Sequence, residues 1–147
     1  MPTADALLAD LNQPDDDLAP LALDFLYCDT VTMLAADSGL GKSTIATNIA
    51  IALALGQPVF GHFAVPVPCR VFYLQLEGSY RETKKRLRLI RESQQVPPDA
   101  RWCVDNLVWE PWDSPLNVLK EADADALLDY IAGHGQFDLL IIDPLYM

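Results

Sequence analysis

The stretch Ala36-Asp37-Ser38-Gly39-Leu40-Gly41-Lys42-Ser43-Thr44 constrains this chain more than any other. It follows Val31-Thr32-Met33-Leu34-Ala35, a short apolar run whose β-branched residues predict a buried strand. It opens the segment Ser43 to Leu55, which is apolar on nearly every face, and Gly56 followed by Pro58 supplies a stop. A helix of that kind has to be buried, here against a sheet. Strand, glycine-bearing loop and helix in that order commit the chain to an α/β architecture.

The same order is the context that the phosphate-binding pattern GxxxxGK[ST] requires. Successive backbone N–H groups of such a loop wrap a β-phosphate, its glycines let the chain approach without Cβ clashes, and the helix N-terminus adds partial positive charge. The nucleotide contacts therefore fall on Asp37, Ser38, Gly39, Leu40, Gly41, Lys42, Ser43 and Thr44. Lys42 would reach the β- and γ-phosphates, and the Ser43 hydroxyl would coordinate the Mg²⁺ that bridges them. Ala36 stands where the pattern has its first glycine, which is tolerable where that position avoids positive φ. The alternative is a plain strand-to-helix turn that happens to carry glycines.

Two carboxylates extend the pattern. Leu139-Leu140-Ile141-Ile142-Asp143 reads as a buried strand ending in the aspartate that holds Mg²⁺ together with the loop serine, although an Asp after an apolar strand is often a simple loop residue. Glu77 directly follows the apolar run Val71-Phe72-Tyr73-Leu74-Gln75-Leu76. In a parallel α/β sheet, ligand sites lie outside the carboxyl ends of the strands, so Lys42, Glu77 and Asp143 should converge on one edge. A carboxylate there could polarise an attacking water; the bland reading of Glu77 is a solvated helix-capping residue.

The rest of the chain supports this layout. Ser79 with Glu82 three residues later has capping-box spacing, and the helix it opens should turn Tyr80, Thr83, Leu87 and Ile90 inward, with Pro97-Pro98 closing it. A weaker strand is expected over Leu107 to Trp109. A helix over Glu121 to Ala132 should face Leu127, Leu128 and Ile131 inward and end at Gly133, and a last strand should run from Phe137 to Ile142. Four apolar strands alternating with helices, without tight hairpin signals, favour βαβ crossovers and therefore a parallel sheet. Residues 1–29 carry seven aspartates and no basic residue and read as a mobile or loosely docked acidic lead-in, in which the stretch between Ala4 and Leu11 could form a short helix; the domain proper should begin at residue 30.

With 51% apolar residues the chain has enough to fold, and 147 residues suffice for one core. The formal charge of −11 argues against a broad nucleic-acid footprint or a membrane surface. Cys28, Cys69 and Cys103 form no CxxC and no framework, which suits a reduced cytoplasmic setting. The apolar run Ile45 to Leu55 is too short to span a bilayer.

Taken together, these residues resemble the RecA-like P-loop ATPases, an AAA ATPase domain of the branch that contains hexameric replicative helicases of plasmid-replication type. The resemblance runs from about Thr30 to Leu145. It rests on Leu34 to Thr44, on Ala54-Leu55-Gly56-Gln57-Pro58-Val59-Phe60-Gly61, on Val71 to Glu77 and on Ile141-Ile142-Asp143-Pro144-Leu145. It implies a three-layer αβα fold with a mainly parallel sheet, ATP and Mg²⁺ as ligands, and hydrolysis between the subunits of a homo-oligomeric ring. Glu77 matches the family's catalytic glutamate and Asp143 its magnesium-site aspartate. Family members continue well past that aspartate, with loops that grip single-stranded DNA and arginines that reach a neighbour's γ-phosphate. The sequence stops at Met147, so the resemblance implies the front part of a longer motor, incomplete at its C-terminus.

Six of the ten basic residues are Arg81, Lys84, Lys85, Arg86, Arg88 and Arg91, and all but Arg86 make one helical stripe. The stripe is either a solvated face or a contact for DNA, a neighbouring subunit or nucleotide phosphates. Trp102, Trp109 and Trp112 flank the third strand, where core packing competes with stacking on a base. A small-molecule P-loop kinase and a non-hydrolysing nucleotide-binding module are the competing functions.

Overall fold

Val71-Phe72-Tyr73-Leu74-Gln75 is buried at all five positions. A strand of this kind needs cover on both faces, which the middle of a parallel sheet supplies. The computed structural model describes residue 3 and residues 18–96, 105–112 and 120–144. In chain order its elements are β1 (Pro20–Ala22), β2 (Leu26–Tyr27), α1 (Lys42–Leu55), β3 (Val71–Gln75), α2 (Tyr80–Ser93), β4 (Leu107–Pro111), α3 (Glu121–Gly133) and β5 (Leu139–Asp143). β3 lies between β4 and β5 and is parallel to both, with Val71 level with Leu107 and Leu139, and Gln75 level with Pro111 and Asp143.

The alternation of side chains along β3 makes two cores. Val71 and Tyr73 pack with α1, α2, Leu107, Trp109, Leu139 and Ile141 on one face. Phe72 and Leu74 pack with Leu127 and Ile131 of α3, Val108, Phe137 and Ile142 on the other. The chain steps from β3 to β4 in one direction and then passes β3 to reach β5 in the opposite direction. With the hand of the crossover preserved, that reversal requires α2 and α3 on opposite faces. The result is the α/β, three-layer αβα arrangement expected of a P-loop NTPase.

Local signals act as their chemistry dictates. At the start of α2, Ser79 Oγ accepts from the Glu82 amide at 3.3 Å, and the Ser79 amide donates to Glu82 Oε2 at 3.0 Å, a complete capping box. The bond from the Ser79 amide, then that from its hydroxyl, holds the Glu82 carboxyl below its ordinary pKa. The box is thus complete above the ordinary carboxylate pKa and weakens as pH falls through the lowered one.

Helix α1 ends in a Schellman motif: the Gly56 amide donates to the Leu53 carbonyl at 3.1 Å and the Gln57 amide to the Ala52 carbonyl at 2.9 Å. Gly56 sits at φ 69°, and a Cβ there would lie 2.8 Å from Cγ of Pro68. Gly56→Ala is expected to destabilise the fold by about 2 kcal/mol, measured as a lower denaturation midpoint at unchanged slope.

Several sequence expectations need correction. Val31 to Ala35 forms no strand; all five residues are exposed, Val31 at 98%. An apolar β-branched run becomes a buried strand only when a neighbour completes its ladder, and among the described residues the outer edge of β5 pairs with no strand. The lead-in expected to be loose is firmly docked at its end. Leu21, Ala22 and Leu26 of the β1–β2 hairpin are buried in the first core, Leu23 donates to the Ala64 carbonyl at 2.8 Å, and the Phe25 ring stacks on Phe63 at 4.6 Å.

Tyr80 is 77% exposed, whereas Thr83 and Ile90 of the same helix are buried. Leu128 is 58% exposed, because the face of α3 turned to the second core carries Leu127, Tyr130 and Ile131. The helix expected over Ala4 to Leu11, the Pro97-Pro98 stop, Trp102, Cys103 and Leu145 lie outside the described residues. No helix among the described residues is long and apolar enough to cross a membrane.

Candidate functional site

The loop before α1 takes its shape from two glycines. Gly39 and Gly41 have φ of 81° and 86°, whereas neither Ala36 nor Leu40 has positive φ. Alternation of sign over 39–41 curls successive amides into the concave nest that binds anions. Ala36 therefore occupies its position without the penalty a positive φ would bring. Gly41 is also the N-cap of α1, so Lys42 and Ser43 begin the helix with its amide end beside the loop. The Lys42 ammonium folds back onto the loop and donates to the carbonyls of Ala36 and Asp37.

From the other side β5 delivers Asp143, buried at its carboxyl end. Ser43 Oγ donates to Asp143 Oδ1 at 3.0 Å, joining residues a hundred positions apart. The second carboxylate oxygen accepts from the Tyr73 hydroxyl. Burial first, then this bond and the Asp143 charge, hold the Tyr73 phenol well above its ordinary pKa, so it remains a donor. Asp143 is thus aimed by two hydroxyls from two different elements.

Glu77 lies one residue past Leu76, whose amide donates to the Asp143 carbonyl at 2.8 Å. Glu77 is exposed and sits in the turn that leads to the Ser79 cap. Lys42, Ser43, Glu77 and Asp143 therefore share the carboxyl edge of the sheet, as the crossover topology demands. Asp37, Ser38, Gly39, Leu40, Gly41 and Thr44 are exposed around it.

The basic helix divides between two settings. Arg81, Lys84 and Arg88 of α2 are solvent-facing, while Lys85 and Arg86 line a cleft of about 220 Å³ together with Thr44, Glu82, Leu89 and Ile90. Lys85 and Arg86 share that cleft with Thr44, the last residue of the glycine-bearing segment. The two described tryptophans lie on opposite faces of the sheet. Trp109 stacks on Tyr73 with ring centroids 3.9 Å apart, and Trp112 meets Tyr130 edge-on at 5.3 Å, so both are packing residues. Burial first, with Asp138 and Cys28 adding to it, pushes the Cys69 thiol up to about 11, so it is inert at neutral pH.

Sequence reasoning missed Tyr73 and Gln75. Both lie on the same face of β3 as the loop helix, at alternate positions before Glu77. The available signal was Gln75 itself, a polar residue in an otherwise apolar strand.

A family model described as an AAA domain matches residues 2–147. No curated protein and no solved structure matches the chain.

Proposed function

Since the chain belongs to the AAA domain family of P-loop ATPases, we infer that residues 37–44, Glu77 and Asp143 form the nucleotide and magnesium half of an ATP-hydrolysing core. The observation that carries this reading is the 3.0 Å bond between Ser43 and Asp143. A hydroxyl and a carboxylate, each an oxygen donor, meet beside the loop, and that donor set suits Mg²⁺, which takes few protein oxygens and fills its shell with phosphates and water. When bound, the ion supplies neutralisation of the β- and γ-phosphate charge.

The chain's own groups do the rest. Lys42 exchanges the two carbonyls of its loop for phosphate oxygens, which offer it stronger, charge-assisted bonds. The nest of residues 39–41 and the N-terminus of α1 hold the β-phosphate. Tyr73 keeps the Asp143 carboxylate turned toward Ser43. Glu77, exposed on the same edge, orients the attacking water and takes its proton. The resemblance stated above supports the finer reading, a cytoplasmic oligomeric motor of DNA-replication or helicase type, ring-shaped and acting on single-stranded DNA. Stimulation of turnover by single-stranded DNA distinguishes such a motor from a regulator.

Titration with a fluorescent ATP analogue, with and without Mg²⁺, tests the core reading. Magnesium should tighten binding about tenfold, and Asp143→Asn should remove that gain while leaving metal-free affinity unchanged. Absence of ATP binding, or a magnesium gain that survives Asp143→Asn, overturns it.

A further inference from the structure

Gln75 is 6% exposed, and its side-chain amide is fully engaged. Its Oε1 accepts from Thr83 Oγ1 at 2.7 Å and from Trp109 Nε1 at 2.8 Å. Its Nε2 donates to the Glu77 carbonyl at 2.8 Å and to the Gly78 carbonyl at 3.4 Å. These partners fix the orientation of the amide, because the reverse would set an NH₂ against the Trp109 N–H and an oxygen against two carbonyls. One buried side chain thus ties β3, β4, α2 and the turn after β3 together.

The turn is built to meet it. Gly78 has φ 95°, and a Cβ there would stand 3.3 Å from Gln75 Nε2. Glu77 projects from the one peptide that Gln75 holds most closely. Two residues earlier on the same face, Tyr73 holds Asp143 and stacks on Trp109, the same ring that donates to Gln75. The Asp143 carboxylate and the main chain at Glu77 are therefore tied to one connected group of side chains, Tyr73, Trp109 and Gln75.

We propose that Gln75 is a positioning residue for hydrolysis, clamping the 77–78 turn so that the Glu77 carboxylate stands where the attacking water lies. The proposal rests on the reading of Glu77 as the residue that orients this water. Gln75 touches neither nucleotide nor metal, so its loss should act on turnover and spare binding. A misplacement of the order of an ångström costs roughly 10- to 100-fold in rate.

The test compares the full chain with Gln75→Met, Gly78→Ala, Glu77→Gln and the double variant Gln75→Met/Glu77→Gln, measuring Mg·ATP affinity and turnover. Gln75→Met keeps length and volume but removes both donors. Gly78→Ala strains the turn against Gln75 Nε2 but keeps the glutamine with its donors and acceptor, which covers the case of a Gln75 variant that fails to fold.

For Gln75→Met and for Gly78→Ala the expected result is kcat lowered roughly 10- to 100-fold at unchanged nucleotide Kd. The double variant should be no slower than Glu77→Gln alone, since Gln75 acts only through that carboxylate. Turnover within twofold of the parent, affinity lost in step with turnover, or a double variant slower than Glu77→Gln overturns the proposal. If Glu77→Gln itself leaves turnover intact, the reading of Glu77 fails, and amide exchange at residues 77–79 then decides the clamp. Faster exchange in Gln75→Met supports it, and unchanged exchange overturns it.

Discussion

Lys42→Ala is expected to lower ATP affinity about 100-fold, a loss of about 3 kcal/mol, and to remove measurable turnover. The ammonium is the one cation that the loop itself carries, and in the free protein it is held over that loop by the Ala36 and Asp37 carbonyls. Alanine deletes the charge that would meet the β- and γ-phosphates, and also unties the two ends of the nest. The loss should be graded by phosphate count, large for ATP, smaller for ADP and slight for AMP. Lys42→Arg should rescue little, because a planar guanidinium cannot replace a compact ammonium at the helix start. Isothermal titration across the three nucleotides checks this. An ATP affinity within threefold of the parent would return the glycine-bearing segment to a structural turn.

Glu77→Gln should leave Mg·ATP affinity unchanged and reduce turnover roughly 10²- to 10⁴-fold, the range that a positioned general base contributes. Glutamine keeps the size and hydrogen-bonding reach of the side chain but cannot take a proton. Because Glu77 is exposed at the lip of the site, the change should not disturb the fold, and the denaturation midpoint should stay within error of the parent. Single-turnover measurement separates the chemical step from product release. Equal rates for parent and variant would make Glu77 a residue of the helix-capping turn and would favour a module that binds nucleotide without splitting it.

What the sequence made legible was local. The capping box of α2, the glycine stop of α1, the burial of β3 and the parallel crossovers all follow from spacings of a few residues, and each stands in the structure near its expected place. The misreadings share one cause. Val31 to Ala35 and Leu128 are apolar, but apolarity states only that a side chain gains from cover, and the cover comes from other elements. The β1–β2 hairpin was obscured for the opposite reason. Its buried Leu21, Ala22 and Leu26 stand among aspartates whose charge dominates the composition of the segment.

The glycine-bearing loop 36–44 and the helix it opens were legible in the sequence alone, because left-handed glycines and a helix start follow from residue types at fixed intervals along one contiguous segment. Only the tertiary structure decided what stands behind that segment. The meeting of Ser43 with Asp143, the bracing of that carboxylate by Tyr73 and the hold of Thr83 and Trp109 on Gln75 all join separate elements. The physical reason is burial: a hydrogen bond between distant residues forms where packing removes water from both partners, and which polar groups then face one another depends on strand order and register, not on any spacing along the chain.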